Sequence, residues 1–314
     1  MTGSLDPPGT AFRRRDAVRA GVTKHRLDGP SFQSVFSAIR MPASLQVTVR
    51  LRAEAALLLC HDSAFVSHHT AAQIWGGIVP DDVDVHVSVP DARHRPQRLG
   101  IRAHVSSRYS DVVTRGKVKL TDPLRTFLEL ARDLDLIDLV VLGDSLVKAS
   151  VLSIEQLHVG TQGWHGGGAM RARQAARLVR AAVDSSMETR LRLLLIFAGL
   201  PEPQVNWTIR NDHGQVLYRV DLAFVEWRVA VEYDGRQHAE NDRQWAHDIG
   251  RREALDGLGW RLVIARATDV YSSPEQTVTR VVSTLREMGM ELPDPTPSPL
   301  FRRLFPGRPG SRHT

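Results

Sequence analysis

The sequence predicts a mixed α/β chain built of two parts, and three observations carry that expectation. After residue 185, apolar helical runs and β-prone runs follow one another in the order αβββαβα. Before it, a helix–glycine–helix start leads into short β-prone runs, and residues 83–89 alternate as a strand among helices. Between the two parts GTQGWHGGG, residues 160–168, is rich in glycine, lacks a hydrophobic period and reads as a linker. A length of 314 residues fits two cores, at roughly one domain per 150 residues.

Hydrophobic residues make up 42% of the chain and charged residues 24%, the balance of a folded protein and not of a disordered one. The single cysteine, Cys60, excludes an internal disulfide and a multi-cysteine zinc site, and it points to a reducing compartment. The start MTGSLDPPGTAFRRR has no apolar stretch behind its charges, and no apolar run approaches a membrane span. The expectation is a cytoplasmic protein with no membrane partner. The formal net charge is +6, yet residues 185–290 hold thirteen arginines, no lysine and fifteen acids. The positive excess therefore lies in the N-terminal part, in 166–184 and in the tail. A polyanionic partner fits that distribution, and so does ordinary solvated charge.

Residues 15–20 read as a helix, Gly21 as a turn, and Thr23 as the N-cap of a second helix through Leu27. With β-prone runs at 34–39 and 45–51, a winged helix-turn-helix is expected, although the spacing fits a small helical hairpin equally well. A helix over 53–61, the run AFVSHHTAAQIWG, the strand 83–89 and TDPLRTFLELARDL, with Pro123 near a helix start, complete a small α/β module. His68 and His69, adjacent at a helix start, are expected to be polar caps and not metal ligands. AFVSHHTAAQIWG together with TDPLRTFLELA resembles the AbiEi-type antitoxin family over roughly residues 13–158. That resemblance implies an N-terminal winged helix with Lys24, His25 and Arg26 facing DNA, and a toxin or other protein as a partner. The expected organisation is a disordered start at 1–12, this region at 13–158, a linker and Arg-rich helix at 159–184, a second domain at 185–290 and a disordered tail at 291–314. The tail expectation rests on six of the 17 prolines, which prevent a helix or a ladder.

In the second domain Ser185-Ser186-Met187-Glu188 opens an apolar helix that ends at Gly199. Three β-prone runs follow, 204–210, 216–225 and 228–233, the first two joined by the turn Asn211-Asp212-His213-Gly214. A polar helix from about 242 to 258, a strand over 260–266 and a helix announced by Ser273-Pro274-Glu275-Gln276 close the order. Acids are depleted from strands, yet Asp221 lies within an apolar strand, and Glu232 and Asp234, two apart, share a strand face. If Glu226-Trp227 is the loop joining those strands, Asp221 stands opposite Glu232, a repulsive pairing unless a cation sits between them. Two such carboxylates with a third from a helix make an oxygen-ligand site suited to Mg²⁺ or Mn²⁺, and phosphodiester hydrolysis is the chemistry such an ion serves. Each acid also has a plainer use: Glu188 in a capping box with Ser185, Asp234 on a solvated face, and Arg251 paired with Asp248 in preference to phosphate.

Order and motif together, Glu188, Asp221 and the run Glu232-Tyr233-Asp234-Gly235-Arg236-Gln237-His238, then Arg251 and Gly259-Trp260, resemble the PD-(D/E)XK superfamily in its very-short-patch-repair-like branch. The resemblance covers residues 185 to about 288. It implies a restriction-endonuclease-like fold and a Mg²⁺- or Mn²⁺-dependent DNA endonuclease. Asp221 and Glu232 would hold the metal, Glu188 would be the helix glutamate, and Asp234 a further ligand. Arg236 and Arg251 would meet DNA. The superfamily's lysine is replaced by Asp234, and no lysine follows Lys148. His238 is then the candidate for general acid/base work or contact with the scissile phosphate. The alternative is a DNA-binding, antitoxin-like regulator whose nuclease fold is inactive.

Overall fold

The computed structural model describes residues 11–106, 110–235, 242–291, 293 and 295–307. Among them are thirteen α-helices and three sheets, the mixed α/β class expected. The chain forms two compact units, Met1–Arg177 and Leu178–Thr314. Among the described residues no helix is long and apolar enough to cross a membrane.

Unit 1 begins with β1 (Phe12–Arg13), α1 (Arg14–Arg19), α2 (Lys24–Leu27), β2 (Phe32–Phe36) and β3 (Ile39–Pro42). The turn between the helices is made by Gly21 at φ 91°, and the Thr23 hydroxyl accepts the Arg26 N–H to cap α2. The three strands form an antiparallel sheet in the order β1-β3-β2, with Ile39 and Met41 fully buried. Residues 45–51, expected as a strand, are not one. The Thr48 hydroxyl accepts the Leu51 N–H and opens α3 (Val49–Leu57), so a local cap overrides the β-prone alternation. The alanines Ala53, Ala55 and Ala56 let that helix lie flat on its neighbours.

β4 (Phe65–Val66), α4 (His68–Ile74), β5 (Val85–Val89), β6 (Ile101–Val105), β7 (Val112–Arg115) and β8 (Val118–Thr121) follow. Their sheet has the order β6-β5-β4-β8-β7, with β5 and β6 parallel and His104 paired with Ser88. Asp122 caps α5 (Pro123–Leu130) with Pro123 in its first turn. α6 (Leu136–Lys148), α7 (Ile154–Gln162) and α8 (Ala169–Leu178) complete the unit. The glycine-rich run at 160–168 departs from a linker: its first three residues end α7, and Trp164 is buried. Its glycines serve close packing, since a Cβ at Gly160 would lie 2.5 Å from Leu124 Cδ2.

Unit 2 carries α9 (Ser186–Phe197), β9 (Gln204–Arg210), β10 (Val216–Phe224), β11 (Val229–Tyr233), α10 (Asp242–Gly257), β12 (Arg261–Ala265), α11 (Ala267–Tyr271) and α12 (Pro274–Glu287). The expected αβββαβα order is present, with α11 added. The sheet order is β12-β11-β10-β9. β10 runs antiparallel to both β9 and β11, while β11 and β12 are parallel and joined through α10, the crossover that a parallel pair requires. Ile209, Val220, Ala223, Ala230, Leu255 and Trp260 form a core cluster of this unit.

The proline-rich stretch after residue 291 also departs from expectation. The Ser298 N–H donates to Phe197 O at 2.8 Å, and α13 (Phe301–Leu304) buries Phe301, with Phe305 buried just beyond. Proline forbids a ladder but not docking, and the two phenylalanines supply apolar surface to bury. Gly199 ends α9 at φ 92°, where a Cβ would sit 2.5 Å from Thr296 O. Gly199→Ala is therefore expected to destabilise the protein by roughly 1–3 kcal/mol, read by chemical denaturation. Unchanged stability would show that residues 296–305 do not press on the helix end.

Candidate functional site

Three acids of unit 2 are held by different elements. The Ser185 hydroxyl accepts the Glu188 N–H at 3.2 Å and starts α9. The Glu188 carboxylate does not close the reciprocal capping box; its Oε2 accepts the Asp184 N–H at 2.9 Å, one residue earlier. Glu188 is only 7% exposed. Burial, and secondarily the charge of Asp221, raise its pKa, with the Asp184 N–H opposing.

Asp221 and Glu232 are placed by strand register. Leu222 pairs with Val231, Ala223 with Ala230 and Phe224 with Val229, and continuing that register sets Asp221 opposite Glu232. The connection is longer than two residues, a 3₁₀ turn over Val225–Trp227 followed by Arg228 in the left-handed region, but it keeps the same register. Asp221 Oδ2 accepts the Tyr233 N–H at 2.8 Å. Burial raises the pKa of Asp221, and the charge of Glu232 adds to the rise; the Tyr233 N–H and Arg251 oppose it.

Arg251, from α10, forms an ion pair with Glu232. Its Nη2 also donates to Arg219 O at 2.9 Å, and its guanidinium carbon lies 5.6 Å from the Tyr218 ring centroid. The side chain of Asp248, the partner expected for Arg251, lies outside the described residues; among the described ones Arg251 pairs with Glu232. A cation does stand at the acidic strand pair, and it comes from the protein. Arg219 in turn bonds Asp184 at 2.5 Å. Asp234 donates its N–H to Ala265 O at 2.8 Å and lies with Glu232, Gly235 and Arg251 around a cavity of about 210 Å³. Its carboxylate is 3.8 Å from Arg266 Nε.

Arg236 and His238 lie outside the described residues. Asp221 is electrostatically linked to both Glu188 and Glu232, and Asp234 shares a cavity with Glu232 and Arg251. Among the described residues, two sets of three His, Cys, Asp or Glu have ligand atoms all within 4.8 Å of one another: His68, His86 and His104, and His69, Asp82 and His86. Among the described residues, the acids of unit 2 are not such a set. Sequence reasoning missed Arg219 and Asp184, although Arg219, two residues before Asp221, stands on the same strand face as that acid.

In unit 1, Lys24, His25 and Arg26 are exposed on α2. Lys24 shares a cavity of about 730 Å³ with Arg13, Arg14, Arg15, Arg19 and Arg98. Asp28 answers part of that charge, its carboxyl held below the usual range by Arg14 and Arg40.

Residues 203–285 match the family model REase_MTES_1575, a restriction-endonuclease-like family. The strands carrying Asp221 and Glu232, and the helix carrying Arg251, lie within the matched residues. Two uncharacterised proteins from different strains of Mycobacterium tuberculosis are similar to a longer part of the chain. Each is 28% identical over 219 residues, 69% of this chain and 79% of the relative.

The raised pKa values of Asp221 and Glu188 mean that the folded protein binds protons more tightly than the unfolded chain. Their stabilising contribution is full below the ordinary carboxylate values of 3.8 and 4.5 and is lost as pH rises through the higher native ones. Asp221→Asn keeps an acceptor for the Tyr233 N–H and is expected to flatten that decline. Asp221→Ala leaves the N–H without its partner and is expected to cost roughly 1–3 kcal/mol. Thermal melts between pH 4 and pH 8 check both; equal stability of the two variants would refute the role given to this hydrogen bond.

Proposed function

We propose that the protein is a cytoplasmic, metal-dependent DNA endonuclease with an N-terminal DNA-binding module. The observation that carries the reading is the family match over 203–285, within which two acids face each other on neighbouring strands. The hard oxygen donors of Asp221 and Glu232 suit Mg²⁺ or Mn²⁺, which needs one or two carboxylates and keeps several waters. Arg251 leaves Oε2 of Glu232 for such a role, since the ion pair uses Oε1; Glu188 and Asp234 would support the site. Bound there, the ion would polarise a phosphoryl oxygen and lower the pKa of a coordinated water.

The chain's own groups supply the rest. Tyr233 N–H orients Asp221. Arg251 brings positive charge to a site without the superfamily's lysine, and a phosphodiester oxygen can share its guanidinium with Glu232. His238 accepts or donates the proton, and Arg236 meets the DNA backbone. Residues 13–158 act as an AbiEi-like region in which α1, the Gly21 turn, α2 and the β2–β3 hairpin serve as the winged helix, and its surface around Lys24 attracts phosphates. A toxin-like protein is the further partner this region suggests. The Arg251–Glu232 ion pair favours one competing reading, in which arginine has replaced the ion and the fold serves DNA binding alone.

Cleavage of plasmid and mismatched duplex in Mg²⁺ or Mn²⁺ tests the enzyme. Asp221→Asn should lower the rate by orders of magnitude while DNA affinity holds or rises, because a repulsive charge is removed. His238→Ala should cost about 10²- to 10⁴-fold. Unchanged cleavage by Asp221→Asn would overturn the catalytic assignment, and an inert wild type would favour the regulator. Duplex affinity should fall steeply with salt, and the double variant Lys24→Ala, Arg26→Ala should reduce the salt slope by about two. A salt-independent affinity would remove the N-terminal module from DNA binding.

A further inference from the structure

His68 and His69 do not act as helix caps. Ser67 is the N-cap of α4 and makes no side-chain cap hydrogen bond, and His68 itself stands at φ 50°, a left-handed conformation that costs a non-glycine residue roughly 1–3 kcal/mol and clusters at ligand sites. The pair meets two further histidines from neighbouring strands: His86, on β5, is 2% exposed, and His104 is on β6.

One ring nitrogen from each of His68, His86 and His104 lies within 4.8 Å of the other two. The His68 and His104 rings stack at 3.7 Å, and His86 Nδ1 is 3.1 Å from His104 Nε2. Two nitrogens bound to one tetrahedral Zn²⁺ at 2.0–2.1 Å would be about 3.3 Å apart, so this edge is already near the required length.

The outer contact of His86 sets its tautomer. His86 Nε2 is 3.0 Å from Asp82 Oδ2, which calls for its N–H there and turns the lone pair of Nδ1 toward His104. His68 Nδ1 is 3.0 Å from Ser67 Oγ, an oxygen partner for that nitrogen, and 3.5 Å from Glu129 Oε2. Metal-ligating histidines have this pattern, one nitrogen to the ion and the other N–H to a carboxylate or another oxygen. Glu129 Oε2 is buried without a hydrogen-bond partner. It lies on a cavity of about 290 Å³ shared by His68, His104, Arg95, Arg125 and Arg132.

We propose that unit 1 holds a divalent transition-metal site in which His68, His86 and His104 bind Zn²⁺, with a fourth position open to an anion in the arginine-lined cavity. Three imidazoles with no thiolate select Zn²⁺ and its first-row neighbours over Mg²⁺. The site is therefore separate in chemistry from the oxygen site of unit 2 and does not rest on it.

The test uses the full chain, stripped by a chelator and titrated with Zn²⁺ alone, with metal content, calorimetry and melting temperature as readouts. One Zn²⁺ per chain, a higher melting temperature and, with Co²⁺, the visible bands of a tetrahedral nitrogen–oxygen centre are expected. Asp82→Asn should weaken binding about 10- to 100-fold, and His104→Gln by more. Substoichiometric Zn²⁺ in the wild type would overturn the proposal. Full retention by a folded His104→Gln would do the same, as would loss in His69→Gln with His104→Gln unaffected, which places the ion on the Asp82 side of His86. Should His104→Gln fail to fold, the wild-type Co²⁺ spectrum decides, and absence of those bands overturns the site.

Discussion

Asp221 and Glu232 are brought opposite each other by a single strand register, and the surroundings of unit 2 answer the repulsion between them. Tyr233 gives its N–H to Asp221, Arg251 reaches from α10 to Glu232, and Arg219 bridges outward to Asp184. Glu188 adds a third, nearly buried acid whose carboxylate is steadied by the Asp184 N–H. Removing water from several carboxylates is costly unless donors or cations replace it, so these contacts are what allow the acids to remain inside the fold. The same contacts make the site a cation receiver, whether the cation is a guanidinium or a metal ion.

The two units differ in donor chemistry. Unit 2 offers oxygen donors beside arginines, a setting for hard cations and phosphate. Unit 1 offers imidazoles in hydrogen bonds with Asp82 and Ser67, a setting for softer ions. The two proposed sites therefore differ in the ion each would prefer.

Much of unit 2 was legible because its signals are local. The Ser185 cap, the Gly199 stop and the period-two acids define elements and faces without knowledge of the tertiary structure, and the register follows from a symmetric turn. The ion pair of Arg251 with Glu232 was not legible, because the two residues come close only once α10 has crossed the sheet. The histidine cluster was hidden for the same reason: β5 and β6 bring His86 and His104 to His68 across gaps that no spacing rule spans. Residues 45–51 misled because apolar alternation there coincides with a threonine cap. The glycines at 160–168 misled because composition cannot distinguish a flexible glycine from one required for close packing.

The turn at Val225–Trp227 and Arg228 has a consequence for how this region can vary. Side chains alternate along a strand with period two, so adding or deleting one residue in that turn would slide β11 by one position and carry Glu232 to the face opposite Asp221. Surface loops ordinarily absorb changes of length at little cost, but here length is part of the chemistry. Arg228 shows how firmly the turn is set: it keeps φ 50° as a non-glycine residue while its carbonyl accepts the Arg261 N–H at 2.8 Å. The hairpin thereby acts as a ruler, tolerant of changes in side-chain identity and intolerant of changes in residue count.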